Sequence, residues 1–449
     1  MKKIIFIFSL LLLSISAVKA QTDEANAKRV DSLLTVYTNK KMFSGSILIA
    51  KDGKVLLSKG YGMANYSYDV PNTSQTKFKL ASVSKQFTAA AIMILQEQGK
   101  LSTDDKLTKY IPDYPNGDKI TIHHLLTHTS GIVNFTTLPL FDSIMTFEHT
   151  LLESIAYFKN KPLEFEPGEK FNYSNSGYVL LSYIIEKASG KKYHEFVTRS
   201  IFEPLGMKNS GVFNGNTLIK NLAMGYSEIE DGVENVPYVD MSIPTGAGAL
   251  YSTVEDLLIW DQALNSEKLL KKTSIDKIFT PYKDTYAYGW MVDKYKEHKW
   301  IFHTGGIQGF ATVVNRFPDD GLTIIILKNI DNQNMFNPNR VARAVMFNQV
   351  YELPVERKVV NVDEKIYKKL CGDYELMPGF VLSITTENGK LYSQATGQDK
   401  AEIFPESDYK YFFKVVNAQL EFTADKKGNV ETLTLLQGGQ KVPGKKKKQ

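Results

Sequence analysis

Phe78-Lys79-Leu80-Ala81-Ser82-Val83-Ser84-Lys85-Gln86-Phe87 passes from a short extended stretch into a helix. The helix is predicted from about Ser82, because Val83, Phe87, Ala90, Ala91, Ile94 and Leu95 recur at the 3.6-residue period and Gly99 closes it. Ser82 and Lys85 stand three positions apart at its start, so their side chains share one face and the amine can reach the hydroxyl. A hydroxyl is a weak nucleophile without a neighbouring base. Lysine is ordinarily a cation, but the positive end of a helix and burial both favour its neutral form. The spacing by itself is common here: Ser16…Lys19, Ser74…Lys77, Ser189…Lys192, Ser274…Lys277 and Ser407…Lys410 share it. Ser82 differs in opening a strongly apolar helix. Its structural alternative is a capping serine beside a surface lysine.

Two further elements follow along the chain. Phe171-Asn172-Tyr173-Ser174-Asn175 precedes a helix and presents a phenol and an amide two residues apart. A tyrosine acts as a general base if nearby cations lower its pKa, and an amide can hold a substrate carbonyl or the lysine. Tyr37…Asn39 and Tyr114…Asn116 have the same spacing. His303-Thr304-Gly305-Gly306 ends an expected strand, where glycines let a substrate backbone approach closely. The backbone N–H groups of Ser82 and Gly306 are candidates for an oxyanion hole.

The ordered set SVSK, YSN and HTG resembles the serine β-lactamase and penicillin-binding-protein superfamily, in its class C β-lactamase, DD-peptidase, D-aminopeptidase and esterase branch. Leu125-Leu126-Thr127-His128-Thr129-Ser130-Gly131, Pro204-Leu205-Gly206-Met207 and Gly246-Ala247-Gly248-Ala249-Leu250 agree, over roughly residues 25 to 350. The resemblance implies an acyl-enzyme on Ser82, a proton shared between Lys85 and Tyr173, and substrate contacts from Asn175, His303, Thr304 and Gly305. It implies no cofactor and a small-molecule or peptide substrate: a D-amino-acid peptide, a peptidoglycan fragment, a β-lactam or an ester. The β-lactamases carry Lys-Thr-Gly where this chain has His303-Thr304-Gly305. Histidine, with an ordinary pKa of ~6.5, attracts an anion less than lysine does. A sensor that captures its ligand at Ser82 without useful turnover is the alternative on the same fold.

The expected catalytic fold is an α/β sandwich: an antiparallel sheet flanked by helices, beside an all-helical subdomain. Ser46–Ala50 and Lys54–Leu57 flank the turn Asp52-Gly53, and Tyr288–Val292, Trp300–His303, Phe310–Arg316 and Leu322–Leu327 are further strands. Between them lie helices such as Ser176–Ala188 and Thr253–Leu264. Strands at both ends of a helical region predict one sheet built from both. After about residue 355 short strands recur: Val381–Thr385 and Lys390–Gln394 around Asn388-Gly389, then Tyr409–Val415, Gln419–Thr423 and Val430–Leu436. These predict a small antiparallel barrel that looks like the lipocalin-like domain of some bacterial relatives. Strand alternation accounts for Tyr409, Tyr411, Phe412 and Phe413, with a sugar or lipid pocket as the alternative. The domains are thus a signal peptide at 1–20, the hydrolase domain at 21–355 and the C-terminal β domain at 356–449.

The signal peptide rests on Lys2-Lys3, the apolar run Ile4–Leu13 and Val18-Lys19-Ala20. That run is short for a membrane span, and Gln21 rather than Cys follows Ala20, so no stable anchor is expected after cleavage. The expected location is the periplasm or beyond. Net charge is +5 over 449 residues, but Lys2, Lys3, Lys19 and Lys445 to Lys448 leave a body near −2, which gives no basic face for nucleic acid. The tail lysines read as a solvated end. Cys371 stands alone, so neither an intrachain disulfide nor a cysteine-rich metal site is possible, and buried filler is its reading. His123, His124 and His128 lack the intervening glutamate of a zinc protease, and no metal is expected. Glu97, Asp104 and Asp105 read as a solvated helix end. The oligomeric state is open.

Overall fold

The computed structural model describes the backbone of residues 2–213, 217–229, 232–331, 337–351, 357–414, 418–425, 428–437 and 440–447, with side chains from residue 21. Two compact units emerge: residues 1–332 with 342–349, and residues 333–341 with 350–449. The expected boundary at 355/356 lies outside the described residues, as do Val415 and Lys448. The side chains of the expected signal peptide are likewise not described. Its backbone forms the first part of helix α1 (Lys2–Asn39). Among the described residues no helix is long and apolar enough to cross a membrane.

The first unit is built on a six-stranded antiparallel sheet. Its strands are β1 (Gly45–Lys51), β2 (Lys54–Tyr61), β3 (Met291–Tyr295), β4 (His298–Ile307), β5 (Phe310–Phe317) and β6 (Leu322–Lys328). They lie in the order β3-β4-β5-β6-β1-β2, so the two ends of the unit meet where β1 pairs with β6, Ile47 opposite Ile326. Asp52 and Gly53 both take positive φ, as the two-residue hairpin requires. Successive β2 residues face opposite sides. Lys59 and Tyr61 reach Asp31 on α1, each at 2.7 Å, while Ser58 reaches Glu255 at 3.1 Å. Helices therefore cover both faces, and the expected sandwich forms. The strand expected at Tyr288–Val292 begins three residues later, because Gly289 at φ +74° turns the chain and Ala287 N–H closes on Trp290 O at 2.8 Å.

Helix α2 (Lys85–Glu97) was expected to show one apolar face. Instead every residue from Lys85 to Leu95 is buried, including Lys85, Gln86 and Thr88. It is a central helix, wrapped by α3 (Asn175–Ser189), the short α4 (Thr245–Gly248) and their neighbours. Helix α5 (Val254–Ala263) packs on β6 and β1. Its Asp261 hydrogen-bonds Arg316 of β5 and accepts from Thr323 of β6 at 2.7 Å; Arg316 also reaches Asn265 at 2.6 Å.

The second unit contains a closed eight-stranded barrel: β7 (Gly372–Met377), β8 (Phe380–Glu387), β9 (Lys390–Ala395), β10 (Ala401–Ser407), β11 (Lys410–Phe413), β12 (Ala418–Ala424), β13 (Val430–Gln437) and β14 (Gln440–Lys446). Each strand pairs with the next, and β14 returns to β7. Asn388-Gly389 has the expected double positive φ. The interior holds Tyr374, Leu391, Tyr411, Leu420, Phe422 and Leu433, side chains filling a small barrel. Cys371 is half-buried against this core. The tail lysines Lys445 and Lys447 are solvated as expected, but Lys445 and Lys446 are not a free end: they belong to the strand that closes the barrel, opposite Glu375 and Tyr374. A closed barrel has no free edge, and this strand supplies the closure whatever its charge.

Asp261→Ala leaves the Arg316 guanidinium, 3% exposed, without its carboxylate. The expected loss is ~3–5 kcal/mol. Trp260, Trp290 and Trp300 all lie in the first unit, so tryptophan fluorescence in urea reads that unit alone. A loss under ~1 kcal/mol would show that Asn265 and the surrounding rings suffice.

Candidate active site

Ser82 lies in a tight turn, Ala81–Ser84, and not in the α-helix, which starts at Lys85. Ala81 has φ +48°, a left-handed conformation that costs a non-glycine residue ~1–2 kcal/mol. The neighbouring strands impose it. Leu80 N–H donates to Leu250 O at 2.8 Å, and Leu80 O accepts from the Thr312 hydroxyl of β5 at 2.7 Å. Gly305 of β4 completes the clamp. A Cβ there would stand 2.4 Å from Leu80 O and 3.0 Å from Ser82 N, so only glycine lets the strand lie flush against the turn. At Gly306 a Cβ would meet nothing within 4 Å, and its backbone opens onto the cavity beside Ser82.

From the first turn of α2 the Lys85 side chain leans back toward the N-terminus, as helical side chains do. Its Nζ lies 3.1 Å from Ser82 Oγ, 2.8 Å from Asn175 Oδ1 and 2.8 Å from Ala247 O. It also sits over the Tyr173 ring at 4.8 Å. Lys85 is wholly buried, and among the described residues no carboxylate pairs with it. Three acceptors match an ammonium, but they match an amine equally: two N–H groups for Asn175 and Ala247, and a lone pair for the Ser82 proton. Burial without a counter-charge decides, holding Lys85 well below the usual lysine range.

Tyr173 hydrogen-bonds Ser82, but burial pushes its phenol up rather than down. The condition for a tyrosinate base is therefore unmet, and Tyr173 is a protonated donor at neutral pH. Asn175 lines the cavity with its amide already oriented. Its Oδ1 faces Lys85, its Nδ2 donates to Thr136 at 3.1 Å, and its backbone N–H donates to Asn134 at 3.0 Å.

The structure draws the third element inward. His303 is buried, its Nδ1 lies 2.6 Å from Thr304 O and its Nε2 lies 2.9 Å from the Tyr286 hydroxyl. A carbonyl only accepts, so Nδ1 carries the proton and Nε2 accepts from Tyr286. Burial lowers His303 to about 3. The ring is neutral with both nitrogens engaged. Of the HTGG segment, Gly306 lines the cavity while His303, Thr304 and Gly305 stand behind or beside it.

Of the three other histidines singled out, His123 bonds Tyr288 at 2.7 Å and His124 closes a helix N-cap with Thr121. His128 Nδ1 accepts from Ser174 N–H at 3.1 Å. Its ring centre lies 4.2 Å from that of Tyr173, tilted, and 4.5 Å from that of Tyr286, edge-on. Sequence reading missed Asn134, Thr136, Tyr178 and Tyr286 as partners of the site. Ala247 and His128 fell in quoted motifs, but without an assigned contact.

The cavity beside Ser82 measures about 480 Å³ and is walled by apolar side chains such as Phe141, Ile243 and Phe310. A buried serine–lysine pair at such a cavity, between a sheet and a helical subdomain, defines a β-lactamase-related serine hydrolase of the peptidase or esterase type. A family model described as Beta-lactamase matches residues 26–346, and the chain belongs to that family. A domain of unknown function (DUF3471) matches residues 356–446. Penicillin-binding protein 4* of Bacillus subtilis (strain 168) is 33% identical over 423 residues, 88% of this chain and 93% of that one. The octameric penicillin-binding protein homologue from Pyrococcus abyssi is similar in structure, with TM-score 0.65 and 28% identity over 93% of this chain and 99% of that one. D-amino acid amidase from Ochrobactrum anthropi SV3 shares the fold, with TM-score 0.64 and 24% identity over 73% of this chain and 99% of that one.

The neutral histidines make the first unit acid-sensitive. Their folded values lie below the ordinary ~6.5, so the unfolded chain binds more protons as pH falls. The stability at stake is complete above ~6.5 and declines toward about 4 for His124 and about 3 for His303. The urea midpoint of tryptophan fluorescence is expected to fall between pH 6.5 and 4, and less steeply in His303→Gln. Equal slopes in the two proteins would show that His303 protonates freely.

Proposed function

We propose that the chain is an exported serine hydrolase that cleaves an amide or ester through an acyl-enzyme on Ser82. The observation that carries this reading is the fully buried Lys85 Nζ 3.1 Å from the Ser82 hydroxyl. Lys85 takes the Ser82 proton as Oγ attacks the carbonyl carbon. The Oγ–C bond forms, and the negative oxygen faces the N–H groups of Ser82 and Gly306. The C–N or C–O bond then breaks, and the leaving atom takes a proton from the Lys85–Tyr173 pair. Water gives a proton to the same pair as its oxygen bonds to the acyl carbon; the Oγ–C bond then breaks, Oγ takes that proton back, and the acid leaves Ser82 free. Asn175 is assigned to hold Lys85 and to present its amide to the substrate. Gly305 brings β4 against the Ser82 turn, and Thr304 fixes the His303 ring through its carbonyl. His303 acts as a positioning residue behind Tyr173. The segment Lys2–Ala20 supports export to the periplasm or beyond.

Intact mass of the chain with a fluorophosphonate and a p-nitrophenyl ester tests the nucleophile. Wild type should gain one adduct and Ser82→Ala none; an adduct on Ser82→Ala would place the nucleophile elsewhere. Lys85→Arg removes the base by putting a permanent cation in place of the amine. Its acylation rate should fall ~10²–10⁴-fold. In wild type the rate should fall as acid protonates Lys85, at a pH well below the ordinary lysine value. If wild type is no faster than the Lys85→Arg variant at any pH, Lys85 is not the base. An ester adduct that never turns over would mark a sensor.

A further inference from the structure

The charge pattern of the cavity reaches further and rests on Ser82 as its nucleophile. Among the described residues lining it, Asp331 alone is charged. It ends the short strand Ile330–Asp331, parallel to Tyr226–Ser227, at an exposed position. Among the described residues no hydrogen bond or ion pair engages its carboxylate. The nearby Lys328 is lowered to about 8 by burial and is drawn up by both Asp331 and Glu228, so this corner holds two carboxylates to one lysine. Among the described residues no cation on the cavity wall answers them. His303 has both nitrogens engaged, and the Lys85 Nζ is taken up by Ser82, Asn175 and Ala247 and does not line the cavity. Lys79 lies over the Phe213 and Phe310 rings, at 5.2 and 5.8 Å, and does not line the cavity.

A negative group that shares a cavity with the nucleophile favours a positive ligand and repels a negative one. At about 480 Å³ the cavity suits one small molecule, spanning Ser82 and Asp331 together. We propose that Asp331 selects substrates bearing a protonated amine, so that this hydrolase acts on amino-substituted esters and amides and disfavours those with a free carboxylate. The ammonium donates to the Asp331 carboxylate, and the apolar walls take the carbon skeleton.

Matched p-nitrophenyl esters test this on the full chain. One series carries a free amine, an acetamide or a succinamide on the acyl side, in both enantiomers, and a second carries the same groups on the leaving alcohol. A charged hydrogen bond at a partly solvated site is worth ~10-fold in kcat/KM. The amine should exceed the acetamide by at least that factor in one series, with the succinamide lowest and the preference shrinking in high salt. Asp331→Asn should bring the amine and acetamide within ~3-fold of each other, and Asp331→Lys should reverse their order. Fluorophosphonate must still label Ser82 in both variants, at whatever rate, which shows that each is folded. Labelling with equal rates for amine and acetamide, or an unchanged ratio in Asp331→Asn, overturns the proposal but leaves the nucleophile standing. A succinamide preference lost in Lys79→Met overturns it in favour of Lys79. If no ester turns over, protection of Ser82 from the fluorophosphonate by 2-phenylethylamine over 2-phenylethanol supports it, and equal protection overturns it. No labelling at all ends both readings.

Discussion

A fully buried lysine with no carboxylate partner among the described residues, its Nζ 3.1 Å from a serine hydroxyl, is the constraint on which the first unit turns. Charge would be costly there, so Lys85 is held as a base by its surroundings rather than by any one partner. That burial comes from α2 being enclosed around its whole circumference through Leu95. The aim comes from Asn175 and Ala247, which occupy the other two directions around Nζ. Exposing α2 on any side would release the amine to solvent and restore its ordinary cationic form.

The same logic explains the backbone. A left-handed alanine before Ser82 is unfavourable in isolation. It persists because β4 and β5, which belong to the sheet's C-terminal half, grip Leu80 and Ser82 directly, and Gly305 removes the one side chain that would hold them apart. The sheet closes only when β1 meets β6. The turn carrying Ser82 is therefore shaped by residues far along the chain, 232 positions away in the case of Thr312 and Leu80.

His303 shows how a substitution in a motif is absorbed. A lysine at this position would bring a cation; the histidine instead turns inward, shares a hydrogen bond with Tyr286 and stays neutral. Around it Tyr173, Tyr178, Tyr286 and His128 form one aromatic packing group. That packing raises the Tyr173 phenol and keeps its proton in place. The cavity is left with an acidic corner and apolar walls, which bears on what it admits.

Much of this was legible in the residues. The hairpins at Asp52-Gly53 and Asn388-Gly389, the sheet drawn from both ends and the β character of the C-terminal unit follow from local periodicity and turn chemistry, which need only neighbouring residues. The Ser82–Lys85 pairing follows from helical spacing. Other features depended on distant chain. Gly289 displaced a strand, and the lysine tail proved to be the closing strand of a barrel, since closure is a property of the whole sheet and not of its last residues. The direction of the Tyr173 shift, the inward turn of His303 and the arrival of Asn134, Thr136 and Tyr286 were invisible for the same reason. By itself the sequence determined the elements, the candidate nucleophile and its base, because spacing and side-chain chemistry are local. Tertiary structure alone decided which of those groups are dry, which are charged and which face the cavity, because burial and electrostatics are set by every residue that packs around them.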